Sequence, residues 1–227
     1  MTERDATLAG LCRSEVLMRS SAWVMLAPTL LASTVSMLML TQDARAQTVS
    51  GEALVKALRH GGYVIVMRHA SSPREAPDKR SANADNVNLE RQLDEAGRTD
   101  ATAMGKALRE LKIPVGDVLT SPTYRALETA RLAQLANPRT YAELGDGGQS
   151  MQGVTEAQSA WLQKKVTQIP VGTNTVVVTH MPNIARAFPQ LASGVSDGEA
   201  LVFGSNGKGR TMLVARIKIE DWPRMRF

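Results

Sequence analysis

Two short runs constrain this chain more than anything else in it. Residues 63–67 (YVIVM) and 175–179 (TVVVT) are rich in β-branched residues and carry no charge. A strand that is apolar along its whole length must be covered on both faces, as in the central parallel strands of α/β proteins. Around these runs lie segments with helical spacing, at 52–59, 95–111, 122–136 and 155–168. Alternating strand and helix predicts an α/β fold: a three-layer α/β/α sandwich with a mostly parallel central sheet, whose ligands collect at the carboxyl ends of the strands. Near the C-terminus, 200–205 and 211–220 flank Asn206-Gly207, which predicts a hairpin on the sheet edge. No repeat or linker breaks residues 47–227, which read as one domain.

The first 46 residues read differently. Arg13 and Arg19 precede an apolar stretch at 23–40, and Ala44-Arg45-Ala46 then supplies a small-x-small cleavage pattern. This predicts a secretory signal peptide over 1–46, with Met18 as an alternative start or the first 17 residues as an extended n-region. The competing reading is an uncleaved anchor, since the apolar stretch approaches the roughly 20 residues that span a bilayer. Pro28, the interspersed Ser and Thr, and the cleavage pattern favour removal. The expected location is periplasmic or secreted, without stable membrane insertion after cleavage. Cleavage would also remove Cys12, the only cysteine, leaving a domain with no disulfide and no thiolate ligand.

Charge narrows the classes of ligand. Arg4, Arg13, Arg19 and Arg45 balance Glu3, Asp5, Glu15 and Asp43, so the net charge of +5 survives cleavage. Such a surface attracts anions without forming a polybasic stripe. With only three each of Phe, Trp and Tyr, the chain lacks an aromatic platform for stacked bases, so nucleic acid is not an expected partner.

Three strand ends carry the chemistry. The first run ends in Arg68-His69-Ala70, which puts an imidazole and a permanent cation at the carboxyl edge of a buried strand. A guanidinium presents a planar fork of donors that matches phosphate oxygens. In VLTSPTYRALETA, Ser121 reads as an N-cap and Pro122 as the first helical residue, so Arg125 falls in the opening turn of a helix. In NTVVVTHMPNI the strand ends at His180 and Pro182 starts the next helix. Taken singly, each is ordinary: a His at a strand end is usually structural and an Arg on a first helical turn is usually solvated. Two of the three His in the chain nevertheless stand at such junctions. His60, before Gly61-Gly62 at a helix end, is assigned a structural role. His69 and His180 flanked by arginines would repel a dication, and no HxH or HExxH spacing accompanies them, so no metal ligands and no cofactor are expected.

These residues resemble the histidine phosphatase superfamily, the phosphoglycerate mutase-like fold. Arg68-His69 matches the family's RHG signature, Ser121-Pro122 with Arg125 and Thr129-Ala130 its second-arginine motif, and Thr179-His180 its second histidine. Arg91, Leu93 and Gly97 resemble its R-x-L-x-x-x-G segment, with Asp94 as an N-cap. The resemblance covers residues 60 to 220. It implies a metal-independent phosphatase in which His69 attacks phosphorus and becomes a phosphohistidine that water then hydrolyses. Arg68, Arg125 and His180 would hold the equatorial oxygens. For attack, one ring nitrogen of His69 must be neutral, with the other tied to a backbone carbonyl, and nearby arginines would depress its pKa.

The family's general acid often lies two positions beyond a Leu, which selects Asp146 in Leu144-Gly145-Asp146, with Glu143 and Glu199 as rivals. Two departures stand out. Ala70 replaces the usual Gly, and 71–75 (SSPRE) lacks the usual Asn, where Arg74 is either a substitute or an exposed loop residue. The expected function is an exported phosphomonoesterase acting on a small phosphorylated substrate that loops 71–88 and 145–153 select. The alternatives are a phosphate-binding module without turnover and a phosphomutase.

Overall fold

The computed structural model describes residues 51–73, 90–146 and 153–226. The leader read at 1–46, Arg74, and most of the two substrate loops lie outside the described residues. Helix α1 (Gly51–His60) leads into strand β1 (Tyr63–Arg68), followed by α2 (Glu95–Glu110), β2 (Val115–Thr120), α3 (Tyr124–Leu132) and β3 (Arg139–Thr140). After a 3₁₀ turn (Ala142–Leu144) come α4 (Glu156–Val166), β4 (Asn174–Thr179), α5 (Met181–Ala187), β5 (Ala200–Ser205) and β6 (Thr211–Ile217), then a 3₁₀ helix (Ile219–Arg224).

Among the described residues the strands form one sheet in the order β3-β2-β4-β1-β5-β6. β1 and β4 pair in parallel with Arg68 opposite Thr179, and β4 pairs in parallel with β2. β5 is antiparallel to β1 and forms a hairpin with β6. This is the mostly parallel α/β arrangement expected. The uncharged runs are the two central strands, and all of β4 is buried. Their alternate side chains feed two cores. Ile65, Met67, Val176 and Val178 pack with α1, α2 and α3 on one face, while Val64, Val66 and Val177 pack with α4 and α5 on the other. Burying a Val or Ile side chain stabilises by roughly 1.5–3 kcal/mol, so these two strands anchor the fold.

The helix ends depart from the sequence reading in informative ways. α3 begins one residue beyond its N-cap Thr123, so Ser121 and Pro122 precede the helix rather than open it. The Ser121 hydroxyl is used elsewhere, on His180 and Thr123. α3 also stops before 136: Gln134 takes φ 54°, and Leu135 N–H bonds Ala130 O while Gln134 N–H bonds Arg131 O. These two bonds make a Schellman closure without glycine. Strand β6 ends at Ile217, short of 220, because Ile219 and Trp222 turn back into the core. His60 sits at the end of α1 and donates from Nδ1 to Lys56 O at 2.7 Å, a structural contact.

Two glycines are fixed by close approach. A Cβ on Gly61, at φ 75°, would collide with the Thr173 backbone. A Cβ on Gly97 would collide with the Ser71 carbonyl, so the first turn of α2 lies directly on the backbone that follows Ala70. Asp94 caps that turn, accepting from Gly97 N–H at 2.7 Å, and also accepts from Ser71 Oγ at 2.7 Å. The loop leaving β1 is thereby clamped. No helix among the described residues is long and apolar enough to cross a membrane.

Candidate active site

Because β1, β2 and β4 run in parallel, their carboxyl ends open on one edge of the sheet. His69 follows β1, His180 follows β4 as the N-cap of α5, and Arg125 lies in the first turn of α3 after β2. The two rings meet: their centroids are 5.2 Å apart, inclined at 61°. Arg125 bridges them, with Nε donating to His69 Nε2 at 3.3 Å and Nη2 to His180 Nδ1 at 3.2 Å. Arg68, His69, Arg91, Asp146, His180, Met181 and Pro182 line a 260 Å³ cavity at this edge.

The hydrogen bonds define the tautomers. His69 Nδ1 lies 2.8 Å from Ala70 O, an acceptor, so Nδ1 carries the hydrogen. Nε2 therefore presents a lone pair beside Arg125. His180 Nδ1 accepts from Arg125, so its Nε2–H donates to Ser121 Oγ at 2.8 Å. Both rings are buried, which is the main reason their pKa values fall well below the usual imidazole range. The Arg125 charge lowers both further. The Ala70 carbonyl opposes this at His69, Arg68 and Arg91 add to the lowering at both rings, and the neighbouring His69 contributes at His180. Both imidazoles are neutral at pH 7.

The surroundings are fixed by α3. Thr129 Oγ1 accepts from Ala70 N–H at 3.1 Å and donates to Arg125 O at 2.7 Å, tying the backbone of the β1 end to the arginine's own helix. Ala70 is fully buried, and it is not among the residues with left-handed φ, so the Gly-to-Ala departure costs the backbone nothing. Glu90 is buried and its carboxylate accepts from Tyr124 N–H, placing a negative charge at the N-terminus of α3.

Each residue expected from the sequence can be located. Arg68 lines the cavity and is also paired with Asp197, Nη2 to Oδ1 at 2.5 Å, while its buried Nε has no hydrogen-bond partner among the described residues. Asp146 lies in the cavity wall, with Oδ2 2.5 Å from Arg125 Nη2 and 3.4 Å from His180 Nδ1. Glu199 is committed elsewhere: it accepts from Arg216 Nε at 2.6 Å and from Ser196 N–H at 2.9 Å. Burial alone would raise its pKa, but these bonds outweigh burial and hold it below the usual carboxylate range. Glu143 is half-buried and does not line the cavity.

Sequence reasoning did not assign Arg91, Asp197, Met181 or Pro182 to the site. Arg91 comes from the loop before α2 and is steadied by Ser72, whose Oγ accepts from Arg91 Nε at 3.1 Å. The available signal was its place in the R-x-L-x-x-x-G segment, but no strand end announces it. Asp197 carries no local motif at all.

Residues 64–146 match the model of the histidine phosphatase superfamily (branch 1). This segment is similar to that superfamily. The match spans His69, Arg91, Arg125 and Asp146, while His180 lies beyond it. Solved structures share the fold of this histidine phosphatase-like chain. The protein histidine phosphatase SixA complexed with tungstate is 18% identical, covering 70% of this chain and 98% of its own, with a TM-score of 0.51. The SixA protein of Agrobacterium tumefaciens is 18% identical, covering 69% and 98%, at 0.50. YhfR of Bacillus stearothermophilus is 17% identical, covering 67% and 95%, also at 0.50. At these identities the likeness is one of fold. A search of curated proteins found no match.

Proposed function

We propose that this chain is an exported, metal-independent phosphatase that hydrolyses a small phosphomonoester through a phosphohistidine on His69. The observation that carries this reading is the His69 ring, locked at Nδ1 by the Ala70 carbonyl, with Arg125 Nε 3.3 Å from its Nε2 and Arg68 and Arg91 lining the same 260 Å³ cavity.

In the first step the Nε2 lone pair attacks phosphorus in line. The bond from phosphorus to the ester oxygen breaks, and its electron pair leaves with that oxygen. Asp146, entering as the carboxylic acid, donates the proton that makes the leaving group an alcohol. His69 becomes a phosphorylated imidazolium whose Nδ1–H stays on Ala70 O. In the second step water attacks phosphorus, its proton goes to the Asp146 carboxylate, and the P–N electron pair returns to Nε2.

Arg68, Arg91 and Arg125 hold the equatorial oxygens as charge spreads over them, and His180 joins them as a donor once the bound phosphate's negative charge brings a proton to its Nδ1. The buried, unpartnered Nε–H of Arg68 is a donor suited to such an oxygen. The tungstate of the SixA structure, a tetrahedral oxyanion, supports the same class of ligand.

A phosphate-release screen across sugar phosphates, glycan phosphates and phosphoproteins tests the reading, with His69→Ala as the control and chelator in parallel. Release that survives chelator and is lost in the variant is expected. Release that persists in His69→Ala would remove the nucleophile. N-terminal sequencing of the exported protein tests cleavage after Ala46.

A further inference from the structure

Resting on that reading of Asp146 as the proton donor, we infer that Asn183 and Gln158 are positioning residues that hold the Asp146 carboxylate in place through the Gly145 carbonyl.

Asp146 follows a short 3₁₀ turn that makes few bonds of its own. Leu144 N–H bonds Tyr141 O and Gly145 N–H bonds Ala142 O, both at 3.0 Å. The turn's carbonyls are instead gripped by side chains from three other elements. Thr179 Oγ1, on β4, donates to Leu144 O at 2.8 Å. Asn183 Nδ2, on α5, donates to Gly145 O at 2.9 Å and to Glu143 O at 3.3 Å. Gln158 Nε2, on α4, donates to the same Gly145 O at 2.9 Å and to Ala142 O at 3.4 Å. The Gly145 carbonyl belongs to the peptide plane that carries the Asp146 nitrogen. Two donors on that oxygen therefore orient the residue whose carboxylate meets Arg125 and His180.

Two features separate this grip from ordinary turn stabilisation. Asn183 is 2% exposed, and its Oδ1 has no hydrogen-bond partner among the described residues, so both bonds of this costly buried amide go to the turn. It also lies one turn after His180 on the same short helix, so α5 sets the second histidine and the acid together. Gln158 is the N3 residue of a capping box: its Oε1 accepts from Thr155 N–H at 2.8 Å, which directs Nε2 to Gly145. A glutamate would cap this helix as well, but it could not donate to the carbonyl. The chain carries the amide.

The test uses the full protein, with p-nitrophenyl phosphate as the activated ester and glycerol 2-phosphate as the poor-leaving-group ester. Gln158→Glu retains the capping acceptor while it removes the donor and adds a negative charge, and Asn183→Ala removes the other donor. Each is expected to lower kcat on glycerol 2-phosphate roughly 10-fold and on p-nitrophenyl phosphate less than about 2-fold, with vanadate affinity unchanged. In an Asp146→Asn background neither should add a further loss, because the three residues act as one unit. Equal losses on both esters, or additive losses on Asp146→Asn, would overturn the positioning role while leaving the phosphatase reading intact. If Asp146→Asn itself treats both esters alike, the acid assignment falls and this inference with it. If the wild-type protein turns over neither ester and does not bind vanadate, the phosphatase reading itself fails.

Discussion

Arg125 donates at once to His69 Nε2 and His180 Nδ1, so a single guanidinium sets the acceptor nitrogen of both buried rings. The arrangement follows from topology. Parallel β1 and β4 deliver the two histidines side by side in register, and α3 brings the arginine across from β2. The rings are neutral in this setting because burial and the adjacent charge both oppose protonation.

The neutrality has a consequence for stability. A histidine whose folded pKa is depressed binds its proton more readily in the unfolded chain, so its contribution is complete above the unfolded pKa and is lost as pH falls below it. His69 and His180 together should make unfolding easier below pH of about 6.5, each by about 1.4 kcal/mol per pH unit until the folded rings themselves titrate. Urea denaturation at a series of pH values reads this slope. Replacing His180 by Gln should reduce it by the share of one proton, and an unchanged slope would show that the ring is not buried neutral.

Asp146→Asn should separate substrates by leaving group. Loss of a general acid costs about 10²- to 10⁴-fold where the leaving oxygen needs a proton. Glycerol 2-phosphate should show that loss, and p-nitrophenyl phosphate little of it, in parallel steady-state assays. Equal losses on the two esters would reject the role.

Gly97→Ala should destabilise the fold by about 1–3 kcal/mol, because the added methyl meets the Ser71 carbonyl, which can move only by displacing the backbone after His69. Chemical denaturation measures the change. Activity per folded molecule should fall as well, since the same backbone carries the Ala70 carbonyl that holds the His69 ring.

Much of this was legible in the sequence for a physical reason. Strands covered on both faces must be apolar along their length, so β1 and β4 stood out, and with them the junctions at His69 and His180. Asp94 also announced itself, because capping requires a short polar acceptor before an apolar pattern. β2 was harder to delimit: its early residues Gly116 and Asp117 are exposed, and only its last three positions are buried. The end of α3 was hidden because Gln134, rather than glycine, adopts the left-handed conformation that closes the helix, whereas α2 ends within one residue of its expected bound. Arg91 and Asp197 reach the site from loops, where neither periodicity nor capping marks a residue, and only the folded chain reveals them.

Thr129→Val should leave the buried Ala70 N–H without its acceptor, at a cost of about 1–3 kcal/mol. It should also loosen His69 against Arg125, because Thr129 bonds both backbones. Denaturation and phosphate-release assays on the same preparation distinguish the two effects. Thr129→Ser, which retains the hydroxyl, should restore most of both.

The account turns on covalent chemistry at one imidazole, and rapid-quench trapping with ³²P-labelled ester measures it directly. The prediction is a base-stable, acid-labile label that forms and decays within turnover, maps to the peptide containing His69, and is absent from His69→Ala. Turnover with no such label, or a label that persists when His69 is replaced, would contradict it.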